Sequence, residues 1–504
     1  MKRFISCFIL FSLLTVTLSA QWNRIIAYGD TNNTSKCFDG CIDSWGNQIL
    51  AYTDDQNFGL SVASFDSWHA KNWSFRTNKD VSGETHVQQL LDGNYLISYN
   101  EMYSGGLMKL DTAGNIIWQK SYLDFVFEAV VEDTNDDLYV CGAYGAYGFV
   151  SCLDDTGGVR WIVKNDLSSL YKDVIFTLDG KLALTGTRFG SNQETDFVFS
   201  KVSKTGTEVW TKNYSYSQSL VVQGLVQSPI DFCFYMTGYV TPSSNMILGS
   251  RIMYMKCDSS GQVIGTRVMG YQFGNYGHDI IRTEGNNFIL AGSSRPQQIC
   301  GGTNLVLVKF NSNLDTIMTR RYGDASGMNM TVYQLKKYAP NQNYLFMHAY
   351  TWSVFSYSDA IHVRTDTMLT VPCDNLYFPM QKTEIVVTQY PGSTFSIDSV
   401  AIGSGLLLNP SVVHAADACT NALLNVSETQ IGGMHLYPNP ADRFIRIDNV
   451  NYGTTYSVYN MLGEEMLNGN YNGREIDISA LSPGVYLLQI SQGDRISTAR
   501  FIAD

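Results

Sequence analysis

Charge is scarce in this chain. Asp, Glu, Lys and Arg supply only 16% of its 504 residues, where a globular protein carries about a quarter. What charge there is leans acidic, with a formal net charge of −12, so nucleic acid and anionic membrane surfaces are excluded as partners. Long apolar runs are missing too. Past residue 20 none approaches the roughly 18 residues a spanning helix needs, which excludes a transmembrane segment. Neither a Cys-x-x-Cys pair nor a His cluster with zinc spacing is present, so no metal or other cofactor is expected.

In place of charge the sequence has 31 Tyr and 43 Gly, a balance that suits short strands joined by tight turns. These residues recur in a pattern. A strand is followed, after a gap, by Asp-x-x-Gly, with Trp seven residues beyond the Asp. The clearest copies are Asp111 to Gly114 with Trp118, and Asp154 to Gly157 with Trp161. Weaker ones are Ser203 to Gly206 with Trp210, and Asp66 with Trp73; in degraded ones Gly265 or Met318 takes the Trp position. Seven copies are spaced by roughly 43 to 56 residues, the blade length of four-stranded propeller repeats. The Asp side chain bonds local amides, Gly accepts a positive φ, and Trp supplies apolar surface between blades. The expected fold is all-β: a seven-bladed β-propeller over 21–372, then a linker and a small immunoglobulin-like β-sandwich.

The seventh copy reaches Asp366 without a clear fourth strand, whereas Trp22 to Tyr28 reads as a fourth strand with no partners before it. The N-terminal segment is therefore expected to close the ring as the outer strand of blade seven, removing open sheet edges. Ahead of it, Lys2 and Arg3, the apolar stretch Phe4 to Val16 and the small residues ending at Ala20 read as a signal peptide over 1–20.

Residues 373–427 break the repeat. Cys373 and Cys419 bracket them and predict a disulfide-tied linker; Cys141 and Cys152 flank a hairpin and are a second candidate pair. Over 428–504, alternating Ile445 and Ile447, then Tyr486, Leu488 and Ile490, predict the sandwich. Pro438, Asn439 and Pro440, then Gly463, Gly484 with Tyr486, and the terminal Arg500-Phe501-Ile502 carry a resemblance to the type A C-terminal sorting domain of the type IX secretion system. The preceding repeats resemble the secreted bacterial propellers that carry such domains. The resemblance implies two partners, the outer-membrane translocon and a sortase-like peptidase. It implies periplasmic transit and a final location outside the cell or on the outer-membrane surface.

No catalytic motif is present. Asp133 to Asp137 resembles the start of a calcium loop but lacks its later Gly and Glu, and reads as a blade turn. A basic column, Lys109, Lys201, Lys256, Lys309 and Arg364, reads as structural. Counting back seven residues from each inner turn Gly gives Asp39, His86, Asp173 and His278, with Glu128 nearby. In a propeller these line one mouth of the central channel and could hold a ligand, although a polar channel with Asp ties between blades gives the same pattern. The expected role is an adhesin-like binding protein with a glycan or protein ligand. The alternatives are a polysaccharide lyase or hydrolase, using Asp39 and Asp173, and a structural component of the envelope.

Overall fold

The structure is a computed structural model. It describes residues 25–29, 35–54, 59–66, 70–81, 85–189, 195–241, 249–270, 274–295, 303–322, 329–338, 344–352, 360–365 and 369, seven short strands between 376 and 417, and 436–437, 440–447, 454–460, 465–471, 475–492 and 495–503. Apart from a 3-10 turn at Glu284–Asn286, the regular structure of these residues is all β. No described helix is long and apolar enough to cross a membrane. The chain divides into two compact units, Met1–Cys419 and Thr420–Asp504.

In the first unit the described strands pair as seven successive antiparallel meanders, laid out as the blades of a β-propeller. Their inner strands are Ser35–Ile42, His86–Gln89, Phe125–Glu132, the second half of Val159–Phe176, Ser219–Gln227, Asn275–Arg282 and Asn329–Tyr338. The first half of Val159–Phe176 is the fourth strand of blade 3, so one continuous strand links two blades. Blade 7 takes its fourth strand from the N-terminus: Ile25–Gly29 pairs with Ala360–Thr365, as the orphan Trp22 to Tyr28 segment predicts. The inner strand of blade 1 in turn packs against Asn329–Tyr338 and Tyr344–Trp352 of blade 7.

The repeat motif builds these contacts. Asp111 Oδ1 accepts from the amides of Ala113 and Asn115 at 2.9 and 2.8 Å, and Gly114 closes the turn at φ +83°. Each Trp then reaches the turn of the next blade. The Nε1 of Trp73, Trp118 and Trp161 donates to Thr112 O, Asp155 O and Lys204 O at 3.0, 2.9 and 3.1 Å. The indoles cover the turn glycines so closely that a methyl group on Gly157 would lie 3.0 Å from Trp118. Tyr122 and Tyr214, four residues after Trp118 and Trp210, donate to Gly157 O and Gly261 O at 2.6 Å. Between blades 5 and 6 the sizes are exchanged. Gly265 stands at the Trp position, and buried Leu314, at φ +66°, fills the space from the turn opposite.

The basic column is likewise internal. Lys109, Lys201 and Lys256 pair with the turn carboxylates of Asp92, Asp179 and Asp231 in their own blades at 2.7, 3.0 and 2.9 Å. Asp133 is a turn residue, accepting from the amide of Asn135 at 2.8 Å and from Lys204 at 2.9 Å.

Residues 376–417 depart from the linker reading. They supply a short outer strand to every blade in reverse order: Leu376–Tyr377 to blade 6, Lys382–Glu384 to blade 5, Thr388–Pro391 to blade 4, and Phe395–Ile397 to blade 3. Ile402–Gly403, Leu408–Pro410 and His414–Asp417 then serve blades 2, 1 and 7. This belt runs antiparallel to each edge strand and satisfies amides and carbonyls that would otherwise face solvent as open edges. Cys373 and Cys419, the predicted tie, lie outside the described residues. The second predicted disulfide is corrected. Cys141 stands opposite Val150 and Cys152 opposite Tyr139, so the two are diagonal across the hairpin, and both are buried free thiols.

The second unit has one sheet of Leu436–Tyr437, Phe444–Ile447 and Ile476–Asp477, and another of Glu465–Tyr471, Thr454–Asn460, Gly484–Gln492 and Arg495–Ala503. Ile445, Ile447, Val458, Leu488, Ile490 and Phe501 form its core, the immunoglobulin-like sandwich expected from their alternation. Tyr471 OH bonds Ile447 O at 3.0 Å and so joins the two sheets. Gly484 and Tyr486 open a strand, with Tyr486 OH donating to Ser482 O at 2.8 Å, and Pro440 is exposed. Pro438, Asn439 and Gly463 lie outside the described residues, as do the signal-peptide residues 1–20.

Candidate functional site at the channel mouth

All seven inner strands border one cavity of about 330 Å³. Asp39, His86, Asp173, His278 and Glu128, singled out by counting, all line it. A β-bulge repeated in six of the described inner strands places Asp39, Glu128, Asp173 and His278. Pairing skips one residue between Cys37 and Asp39, Phe127 and Ala129, Tyr171 and Asp173, Val222 and Gly224, Gly277 and Asp279, and Val332 and Gln334. At Asp39, Asp173 and Asp279 the side chain after the skip is aimed at the next blade, as bulges characteristically do.

Register corrects one position in the counted column. In blade 6 the left-handed turn residue that corresponds to Gly46 is Asn286, at φ +56°, and Gly285 is an extra glycine before it. Counting from Asn286 gives Asp279, the residue in register with Asp39 and Asp173. His278 is the bulged residue itself, in the class of Glu128, Lys172 and Gln223, and its Nε2 lies 3.1 Å from Ser293 Oγ.

The three aspartates tie neighbouring blades. Asp39 Oδ2 accepts from Val87 N at 2.7 Å, Asp173 Oδ2 from Leu225 N at 2.8 Å, and Asp279 Oδ2 from Leu335 N at 2.7 Å. Their other oxygens turn to their own strands: Asp39 Oδ1 accepts from Gly40 N at 2.6 Å and Asp279 Oδ1 from Ile280 N at 2.7 Å. Between blades 2 and 3 Asn100 does the same work, accepting from Phe127 N and donating to Phe127 O. Burial pushes the Asp173 carboxyl well above the usual range, with Asp279 adding to the effect. Burial also raises Asp279, to about 7.

The remaining charges pair with one another. Lys172 Nζ lies 2.8 Å from Glu128 Oε2, and Lys336 Nζ donates to Val87 O at 3.0 Å while standing 3.7 Å from Asp39 Oδ2. His86 Nδ1 is 3.9 Å from the same oxygen. Among the described residues no three His, Cys, Asp or Glu side chains are grouped as a metal ion would require. A glycosidase needs two carboxyl groups that reach one bond and exchange protons. Asp39 and Asp173 are instead held by backbone amides. Sequence reasoning missed Asp279, Lys336, Gln88 and Ser98; for Asp279 the signal was present, in Asn286 as a residue suited to positive φ.

Comparison with known proteins separates the two units. No curated protein matches the chain. Among solved structures, PorZ of Porphyromonas gingivalis, described as an essential surface component of the type IX secretion system, is 11% identical, with a TM-score of 0.37 over 92% of this chain and 58% of its own. The Dos1 propeller is 8% identical, with a TM-score of 0.40 over 67% of this chain and 93% of that one. An exo-β-1,3-galactanase of Phanerochaete chrysosporium is 13% identical, with a TM-score of 0.28 over 75% and 93%. At such identities and scores they say nothing of activity or ligand. Residues 435–504 match the family model of the secretion system C-terminal sorting domain. The chain is thus a β-propeller protein with a type IX C-terminal sorting domain, secreted to the cell surface or the extracellular space.

Proposed function

We propose that the propeller is a binding protein of the cell surface, adhesin-like, whose ligand enters the channel mouth. One observation carries this reading: side chains from all seven blades converge on a single cavity whose aspartates are engaged as ties between blades. A polar cavity built this way can hold a ligand, but its acids lack the freedom that general acid–base chemistry needs. A glycan or a protein terminus would both find hydrogen-bonding groups there, and the acidic balance of the chain disfavours polyanions. The sorting domain implies handling by the translocon and a sortase-like peptidase.

The test exposes the full chain to a glycan array and assays the same polysaccharides for new reducing or unsaturated ends. Saturable binding without turnover supports the proposal. Turnover lost in Glu128→Gln or His278→Ala overturns it in favour of a polysaccharide-active enzyme, and silence in both assays removes glycans as ligands.

A further inference from the structure

We infer that the blade 2 wall of the channel mouth recognises a neutral, hydroxyl-bearing ligand the size of a sugar ring, through the Ser98 hydroxyl and the Gln88 amide. The inference rests on the binding reading above and adds the ligand class and the contacting atoms.

Ser98 and Gln88 both line the cavity. Ser98 is only 1% exposed, yet its Oγ has no hydrogen-bond partner among the described residues, and neither has the buried Nε2 of Gln88. An unpaired buried polar group costs about 1–3 kcal/mol, so such groups ordinarily mark a place where something else binds. Here the two come from one wall. His86 pairs with Ser98 and Gln88 with Leu96 across the same two strands, and alternate residues share a face.

The ligand's charge follows from what is already satisfied. Glu128 is paired with Lys172, Lys336 with Val87 O, and the three aspartates with backbone amides. Ser98 Oγ and Gln88 Nε2 on the blade 2 wall belong to a hydroxyl and a carboxamide, both neutral, and they suit a neutral partner that accepts and donates. Leu96, Val130 and Val174 supply apolar surface in the same cavity, matching a ring with carbon–hydrogen faces as well as hydroxyls. The volume of about 330 Å³ sits at the small end for ligand sites. It equals about eleven waters at liquid density, room for one sugar ring and little more.

The test titrates the full chain, by calorimetry or ligand-observed NMR, with glucose, galactose, mannose, xylose and N-acetylglucosamine, and with glucuronate and glucosamine as charged counterparts. At least one neutral sugar should bind saturably and about tenfold or more tighter than its charged counterpart. Ser98→Ala and Gln88→Leu should each weaken it by about five- to thirtyfold, the value of one buried hydrogen bond. Ser98→Ala should leave the melting temperature unchanged or raised, because it removes a hydroxyl that no described residue satisfies. A merely structural serine would lower it. Thr185→Ala is the control: Thr185 faces Asp173 as Ser98 faces His86, and its buried hydroxyl also has no hydrogen-bond partner among the described residues, but it does not line the cavity. Its affinity should match the unmodified chain.

Glycan binding on the array that survives both wall variants overturns this inference and leaves the binding reading standing. Silence on the array and in the titrations overturns this inference, removes glycans as ligands of the binding reading, and marks the wall as a site for water only. Preference for the charged sugars overturns the assignment of ligand class.

Discussion

Replacing Asp39 by Ala separates a structural channel from a catalytic one. The carboxylate accepts two short backbone bonds, from Gly40 N at 2.6 Å and from Val87 N at 2.7 Å. Only the second crosses to the next blade, and both amides would be stranded beside a side chain that is 1% exposed. Hydrogen bonds to a charged acceptor contribute about 1.5–3 kcal/mol each, so Asp39→Ala should cost about 3–5 kcal/mol. With an m value of ~3 kcal/mol/M for a unit of this size, the urea midpoint falls by ~1–1.7 M. Asp39→Asn, which keeps one acceptor but turns an NH₂ toward an amide, should cost about 2 kcal/mol. Tryptophan fluorescence reads the propeller alone: the eight Trp run from Trp22 to Trp352, and the second unit begins at Thr420. An Asp39→Ala protein with an unchanged midpoint would refute the tie and reopen Asp39 as a chemical group.

Three further outcomes follow from the packing and the buried groups. Gly157→Ala should destabilise by ~2–3 kcal/mol, because φ +75° is strained for Ala and the added methyl meets Trp118 and Tyr122 OH at 3.0 Å. Gly180→Ala, at φ +73° with open space around it, should cost only ~1 kcal/mol by the same denaturation assay; equal losses would mean that the indole does not pack on the turn. Asp279, raised to about 7 from an ordinary value of 3.8, holds its proton longer in the folded state. Its contribution is fully present below pH 4 and is lost as pH rises through 7, so Asp279→Asn should flatten the melting temperature between these limits; a slope of unchanged size would count against it. Finally, Cys41, Cys141, Cys152, Cys233 and Cys257 are buried free thiols, with Cys41 pushed up to about 12 by burial. A thiol reagent should label them only after denaturation, and mass spectrometry should find no Cys141–Cys152 bridge.

The blades were legible because each is written by residues with one physical use. Asp binds turn amides, Gly takes positive φ, and Trp covers the turn of the next blade. Even the closing strand at Ile25–Gly29 could be placed, since a Trp-led strand without partners needs an edge. The counted column converges on one cavity for the same reason, and slipped by one residue only where Asn286 replaces Gly. The belt was illegible. Its strands are two to four residues long, too short for a period, and they are fixed by the edges they meet and not by their own side chains. Ser98 and Gln88 were equally hidden, because what distinguishes them is a missing partner, which no spacing reveals.

The belt makes the order of folding one-sided. Ile26 pairs with His362 on one side and with Asp417 on the other, so the first described strand is clasped between segments from the far end of the unit. Contacts of such long sequence separation form slowly, since loop closure precedes any gain. Blades 1 to 6 can assemble from local hairpins as the chain emerges, but blade 7 waits for both termini, and the belt waits for all the edges it crosses. The same interlocking should slow escape. A strand cannot peel from blade 7 without releasing its neighbours, so the propeller is expected to persist by a high unfolding barrier, a kinetic safeguard for a protein that works outside the cell.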